Sequence, residues 1–329
     1  MKYAAGVVLP RQPRNLSVVD LAPPPATILQ DVCDGLSRPQ KQLPPKLFYD
    51  RRGAQLFTAI CSTQAYYPTR TENAILDRRA PEIAGEIGTA AAIIEFGAGE
   101  VEKIRRLLPS LHPAVYAALD LSHEQLLRST GRLALDYPWL DVVAVIGDYG
   151  ADLQSRLSLL AYARRIVFFP GSSIGNFEPE QAQAFLERAR DFVGARGGVL
   201  IGVDLVKDAS VLNLAYNDPE GYTAAFNLNL LTRLNRELGA DFDLSAFFHE
   251  AFYNASRSRI EMHLRCMRAQ RVRIASRLIM FDAGETIHTE NSYKYTPDSF
   301  TRVARAAGFH AARLWIDPAA WFGVFFLHN

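Results

Sequence analysis

From Ala90 onward, apolar runs of strand length alternate with helical stretches. The runs are AAAIIEFG (Ala90 to Gly97), VYAALDL (Val115 to Leu121), VVAVIGDY (Val142 to Tyr149), RIVFFPG (Arg165 to Gly171) and GVLIGVDLV (Gly198 to Val206). They are predominantly apolar, with single charged residues toward their ends and no regular polar alternation, which predicts strands buried on both faces of a parallel sheet with helical crossovers. The alternation ends at Val206. Two further runs, FHAARLWI (Phe309 to Ile316) and WFGVFFLH (Trp321 to His328), are separated by a DPAA turn and predict a closing antiparallel hairpin. The fold class is therefore α/β, Rossmann-like, with an insertion between the fifth strand and the hairpin.

Ahead of the sheet, the first forty residues carry PPPA at Pro23 to Ala26 and read as an extended arm lying on another part of the chain. KLFYDRRGAQLFTAI is helical in its second half. Thr69-Arg70-Thr71-Glu72 reads as a capping box that starts a helix at about Glu72. The insertion and the arm together predict a second, smaller α+β unit that binds substrate. The expected division is 71–205 with 295–329 for the larger domain, and 1–70 with 206–294 for the smaller.

Within the insertion, SRIEMHLRCMRAQRVRI alternates, with Ile260, Met262, Leu264 and Cys266 on one face. In TIHTENSYKY the same period places His288, Glu290, Ser292 and Lys294 on one face and Ile287, Thr289, Asn291 and Tyr293 on the other. A Glu and a Ser two residues apart on one face suit chelation of a polar heterocycle; a solvated strand face is the plain alternative.

Charge and cysteine content narrow the class. Lys and Arg total 36 against 35 Asp and Glu, so no net field favours nucleic acid or an anionic membrane. Cys33, Cys61 and Cys266 are widely spaced and odd in number, which supports neither a disulfide framework nor a thiolate metal site. A reducing cytoplasm fits that pattern. No apolar stretch approaches the roughly 20 residues of a membrane helix, and the N-terminus lacks a signal-peptide pattern. At 329 residues with 49% hydrophobic content the chain is long enough for two domains.

The chemistry gathers at the strand ends. Glu95-Phe-Gly97-Ala-Gly99-Glu-Val101 closes the first predicted strand, where two glycines allow close approach of a ligand and Glu95 can meet a cationic one. A dinucleotide fingerprint would want a small residue at Glu102, so the loop favours S-adenosylmethionine over NAD. The second strand ends at Asp120, roughly twenty residues on, where a carboxylate can accept both ribose hydroxyls. The third ends in Gly147-Asp148-Tyr149, suited to an adenine amino group and ring. The fourth opens into PGSSIGNFEP, which carries Asn176 at the sheet edge. Five parallel strands and a terminal antiparallel pair form the layout of class I S-adenosylmethionine-dependent methyltransferases.

FYDRRG, AYYPTRTE, PGSSIGNFEP, DLVKD, AYNDPEGYTAAFNLN, NRELGADFD, IEMHLR and TENSYKY, in this order, resemble the S-adenosylmethionine-dependent L-histidine Nα-methyltransferases of ergothioneine biosynthesis. The resemblance runs from about Lys41 to the C-terminus, and several of its segments lie outside the generic fold. It implies trimethylation of histidine to hercynine. By motif, it implies that Asn176 and Tyr216 hold the substrate carboxylate and that Glu290 and Ser292 hold the imidazole. Tyr49, the catalytic candidate, is implied near the α-amine, with Phe57, Gly171 and Thr223 lining the pocket and Met262 beside the ring. Gly97, Lys103, Asp120, Asp148 and Tyr149 are implied for S-adenosylmethionine. The family commonly reads GSGTSEK where this chain has GAGEVEK, so the Ser/Thr side-chain contacts are absent at Glu100 and Val101.

The reading is thus a cytoplasmic, monomeric amino-acid N-methyltransferase with S-adenosylmethionine as cosubstrate and no metal, nucleic-acid or membrane partner. Two alternatives stand beside it. One is a methyltransferase of the same build acting on another amino acid or amine; the other is a non-catalytic S-adenosylmethionine-binding protein.

Overall fold

The computed structural model describes residues 13–21, 26–147 and 164–329. Eight strands form one sheet: β1 (Leu16–Asp20), β3 (Ala92–Phe96), β4 (Val115–Asp120), β5 (Asp141–Ile146), β6 (Arg165–Phe169), β7 (Gly198–Asp204), β13 (Ala311–Ile316) and β14 (Phe322–His328). Their spatial order is β1-β5-β4-β3-β6-β7-β14-β13. The pairs from β1 to β7 are parallel, and β14 and β13 are antiparallel. All residues of β3 and β7 are buried, which is why their sequences show no polar alternation. Between β3 and its neighbours β4 and β6 the direction of winding reverses. That switch point opens a crevice at the carboxyl ends of the strands.

One face of the sheet packs on α3 (Tyr67–Ile87), the short α4 (Glu102–Arg105) and α5 (Leu108–Leu111), and α6 (His123–Asp136). The other packs on α7 (Pro179–Val193) and α10 (Pro297–Ala306). The expected hairpin is present, and Asp317 at its turn accepts N–H bonds from Ala319, Trp321 and Phe322.

A second sheet has the order β2-β12-β9-β8, from β2 (Lys41–Gln42), β8 (Phe247–Asn254), β9 (Arg259–Cys266) and β12 (Thr286–Tyr293). A separate ribbon pairs β10 (Gln270–Ile274) with β11 (Arg277–Phe281). Ile260, Met262, Leu264 and Cys266 point together into a third core as their alternation requires. That core is filled from α1 (Ala26–Leu36), α2 (Arg51–Ser62), α8 (Ala209–Tyr216) and α9 (Tyr222–Leu238).

Several local expectations change. The N-terminal arm does lie on another part of the chain, since Leu16–Asp20 extends the large sheet by pairing with β5. It is not extended throughout, because Ala26–Leu36 is helical and buries Val32 and Leu36. Helix α3 begins at Tyr67 instead of Glu72. Pro68 occupies its first turn, where a missing N–H costs nothing and the fixed φ suits the helix. Thr69 and Glu72 therefore lie inside it, and Glu72 points into the protein instead of back to the backbone of Thr69.

The largest change is in β12. Across the ladder with β9, Ser292 stands opposite Ile260 and Glu290 opposite Met262, but His288 stands opposite His263. A bulge at Thr289 shifts the register, so His288 leaves the face of Glu290 and Ser292 and joins the other one. A bulge inserts one residue and re-aims the side chains on either side of it, a change that a strict period of two cannot register.

Candidate functional site

The loop after β3 is built by backbone conformation. Gly97 and Gly99 take φ of 69° and 54°, the left-handed region that glycine occupies without strain. A Cβ on either would meet nothing within 4 Å, so open space runs beside the loop backbone where a cosubstrate can approach. Asp120 ends β4 with both carboxylate oxygens engaged, accepting from Gly99 N at 3.0 Å and from Ser122 N at 2.7 Å. This arrangement couples the glycine turn to the acidic strand end. Asp148 and Tyr149 lie outside the described residues.

The two positions that depart from the family pattern are accounted for. Val101 is buried in the core beneath the sheet. Glu100 accepts the Thr58 hydroxyl at 3.1 Å, tying the loop to α2. Glu95 is 1% exposed and accepts the Tyr116 hydroxyl at 2.6 Å. Burial pushes its carboxyl up to about 8. It is held inside the sheet by the Tyr116 hydroxyl.

Lys103 binds Glu72 at 2.6 Å, and Glu72 accepts the N–H of Gly171 at 2.9 and 3.0 Å. Gly171 has φ 79°, and a Cβ there would stand 3.1 Å from the Lys103 ammonium. One buried carboxylate thus joins Lys103, expected at the cosubstrate, to Gly171, expected at the substrate. Glu72 itself was missed because it reads as a capping residue.

Asn176 ends the short turn Ser173–Asn176. The preceding Gly175 lies against β12, where a Cβ would come 2.8 Å from the carbonyl oxygen of Tyr293. Only glycine permits that approach, and it seats the Asn176 loop on the strand that carries Glu290 and Ser292. Glu178 fastens the same junction, accepting from Arg259, Asn291 and Tyr293.

Ser292 Oγ lies 2.7 Å from the Tyr216 hydroxyl, which donates to it, and 2.7 Å from the Lys294 ammonium. Lys294 also reaches Tyr216 at 3.2 Å and Asp204 at 2.7 Å. Asp204 in turn accepts from Tyr67 and Lys207. Burial alone would raise the Asp204 carboxyl, but the cations Lys294 and Lys207 hold it below the usual range. Glu290 is half-buried in the same wall, and burial pushes its carboxyl up to about 7 against the pull of Lys294.

Aromatic rings close the space. Tyr49 meets Phe57 edge-on at 5.9 Å, Phe57 meets Tyr66 at 6.2 Å, and Tyr66 meets Tyr216 at 6.2 Å. Phe226 packs on Tyr49 and Phe57. Met262 is buried opposite Glu290, and Thr223 is buried in the first turn of α9 with its N–H on Asp218. Asn176, Tyr216, Glu290, Ser292, Met262, Tyr49 and Phe57 are therefore linked through adjacent elements. Phe226, Asp204 and Lys294 were not expected in this group. The motif DLVKD and the strand period contain the latter two, but neither signals an ion pair.

On the opposite face of β12, Glu261, His263 and His288 bring potential ligand atoms within 4.8 Å of one another. The imidazoles stack at 4.6 Å and 14°, and Arg259 is paired with Glu261 at 2.8 Å. The two imidazole planes are therefore nearly parallel.

A parallel sheet wound in this order, closed by an antiparallel pair and carrying a glycine turn and an acidic strand end at its crevice, defines a class I S-adenosylmethionine-dependent methyltransferase. Residues 28–329 match the model of a family described as histidine-specific, S-adenosylmethionine-dependent methyltransferases, and the chain belongs to that family. It is 40% identical over 302 residues to the histidine N-alpha-methyltransferase of Mycolicibacterium smegmatis, covering 90% of this chain and 92% of the relative. It is 31% identical to ergothioneine biosynthesis protein 1 of Neurospora crassa, covering 93% of this chain and 36% of that longer protein. It is 25% identical to the 4-dimethylallyltryptophan N-methyltransferase of Aspergillus fumigatus, over 89% of this chain and 91% of the relative. The chain is an S-adenosylmethionine-dependent methyltransferase of histidine. Among the described residues no helix is long and apolar enough to cross a membrane.

Proposed function

We propose that this chain trimethylates the α-amine of L-histidine to give hercynine, by direct in-line transfer and without a metal. The observation that carries the reading is the adjacency of Glu290 and Ser292 on one face of β12, opposite Met262 and Ile260 and beside Tyr216. A carboxylate and a hydroxyl at that spacing match the two nitrogens of an imidazole. Asn176 and Tyr216 hold the substrate carboxylate, and Tyr49, the catalytic candidate, stands at the α-amine with Phe57, Gly171, Thr223 and Met262 around it. Tyr216 gives up its bond to Ser292 to do so. Gly97, Lys103, Asp120, Asp148 and Tyr149 hold the cosubstrate, which supplies an electrophilic methyl on sulfonium.

Each transfer forms an N–C bond, breaks the S–C bond and leaves S-adenosylhomocysteine, and the amine must shed one proton for each methyl it gains. The chain's main contribution is placement, worth roughly 7 to 11 kcal/mol at most for well-oriented groups. The rings of Tyr49 and Phe57 favour the permanent cation of the product by roughly 0.5 to 2 kcal/mol. In this reading 71–205 and 295–329 bind the cosubstrate, 1–70 and 206–294 recognise the amino acid, and the enzyme works as a cytoplasmic monomer without nucleic-acid or membrane partners.

The test is mass spectrometry of the purified enzyme with S-adenosylmethionine and each of the twenty amino acids, with histamine added as a carboxylate-free control. Three added methyls on histidine and little product from histamine are expected. A relative named for another amino-acid substrate makes methylation of a different amino acid the competing outcome. Histamine methylated as well as histidine would remove Asn176 and Tyr216 from the carboxylate.

A further inference from the structure

Lys294 is completely buried, in a wall that the functional reading assigns to substrate recognition. An ammonium has three donors and no acceptor. Here they meet Asp204 at 2.7 Å, Ser292 at 2.7 Å and Tyr216 at 3.2 Å. Both hydroxyl oxygens must therefore accept from Lys294. Of the two hydroxyl hydrogens, one is spent in the bond between Tyr216 and Ser292. When Tyr216 turns to the substrate carboxylate that hydrogen leaves Ser292, and both hydroxyls then donate to the substrate.

We propose that Lys294 is a positioning residue for substrate recognition: it fixes the Tyr216 and Ser292 hydroxyls as one donor array and supplies the positive charge against which the Glu290 carboxylate and the substrate carboxylate are held. This rests on the histidine reading above and goes beyond it by assigning a residue behind the pocket wall. Asp204 keeps the ammonium charged. Burial disfavours the Lys294 cation, but Asp204 and Tyr216 outweigh it and hold it above the ordinary lysine range. Asp204 is itself shared with Lys207 at 2.6 Å; burial pushes the Lys207 ammonium down to about 8, so below that pH the cluster of one anion and two cations carries a net positive charge. The groups facing Glu290 are the phenols of Tyr66 and Tyr216 and the Lys294 ammonium. Lys294 favours its ionised form, the form that accepts an imidazole N–H.

The experiment compares wild type with Lys294→Met in the full chain. It measures histidine methylation between pH 6 and 9, S-adenosylhomocysteine binding by calorimetry, and thermal unfolding. The KM for histidine should rise about tenfold or more with a smaller loss of kcat. Cosubstrate affinity should stay within about twofold, and the acidic limb of kcat/KM should move to higher pH. Ionisation of free histidine is common to both proteins and cancels in that comparison. A Lys294→Met protein that binds S-adenosylhomocysteine normally and keeps both the KM and the acidic limb of wild type would overturn the proposal. Should that variant not fold, Asp204→Asn/Lys294→Met removes the buried anion together with its cation and carries the same two outcomes. A wild-type chain that leaves histidine unmethylated would sink the functional reading by itself, whatever the variant does.

Discussion

Glu72 of α3 accepts the backbone N–H of Gly171 in the loop after β6 while bonded to Lys103 in α4, so one carboxylate spans three segments around the crevice. Its side chain is 1% exposed. Removing it in Glu72→Ala takes the acceptor from a partly buried N–H and the partner from a partly buried ammonium. The expected cost is about 2 to 4 kcal/mol of stability, with Glu72→Gln costing less because its amide oxygen still accepts. Thermal unfolding and calorimetric titration with S-adenosylhomocysteine check this. Full stability and unchanged affinity in Glu72→Ala would show that the loop is held by other contacts.

Asp120→Ala should weaken S-adenosylhomocysteine binding by about 1.5 to 3 kcal/mol, the range for hydrogen bonds to a charged group. The loss has two sources, the ribose hydroxyls and the Gly99 N–H that Asp120 holds in place. Calorimetry reads the affinity directly. An unaltered dissociation constant would move the ribose contact away from β4.

Glu290→Ala should cost histidine turnover far more than turnover of phenylalanine. A site built to hydrogen-bond a substrate group rejects analogues lacking it by up to about 10⁴ to 10⁵. An apolar side chain entering the wild-type pocket would leave the Glu290 carboxylate desolvated and unpaired, a penalty that the substitution removes. Competition between equimolar histidine and phenylalanine gives the ratio of kcat/KM values. If the preference for histidine survives, the imidazole is read elsewhere and β12 is not the recognition strand.

Glu95 makes stability depend on pH in a specific window. Burial raises its folded-state pKa from the ordinary 4.5 to about 8, so between those values the folded protein holds a proton that the unfolded chain has lost. Its contribution therefore falls as pH rises from about 4.5 and is most unfavourable above about 8. Glu95→Gln can still accept from Tyr116 and has no such proton to lose. Its stability relative to wild type should improve between pH 5 and pH 9, by up to a few kcal/mol. Chemical denaturation at both pH values measures the difference. A gap between the proteins that does not change with pH would show that Glu95 titrates normally.

Much of the fold was legible because its signals are local. The apolar runs of β3 to β7 appear without polar alternation since helices cover both faces of the sheet. The DPAA turn was readable because Asp317 caps its own hairpin. Strand β10 was not separated from the run beginning at Ser258, and its partner β11 was not read from the sequence, since a short ribbon carries too few positions to mark its own ends. The departure at Glu100 and Val101 looked like a loss of contacts. In the structure Val101 fills the core and Glu100 finds Thr58, which lies 42 positions earlier in the chain.

By itself the sequence determined the sheet, the closing hairpin, the glycine turn before Asp120 and the pairing of Glu290 with Ser292, because each follows from residues within one element or its adjoining turn. Only the tertiary structure decided that a bulge at Thr289 turns His288 away from Glu290. It alone showed that Glu72 bonds to a loop 99 residues distant, and that Lys294 is buried against Asp204. The physical reason is common to all three. A side chain's direction at a bulge, and the partner of a buried charge, are set by which distant strands and loops pack together, and desolvation then makes that long-range pairing obligatory.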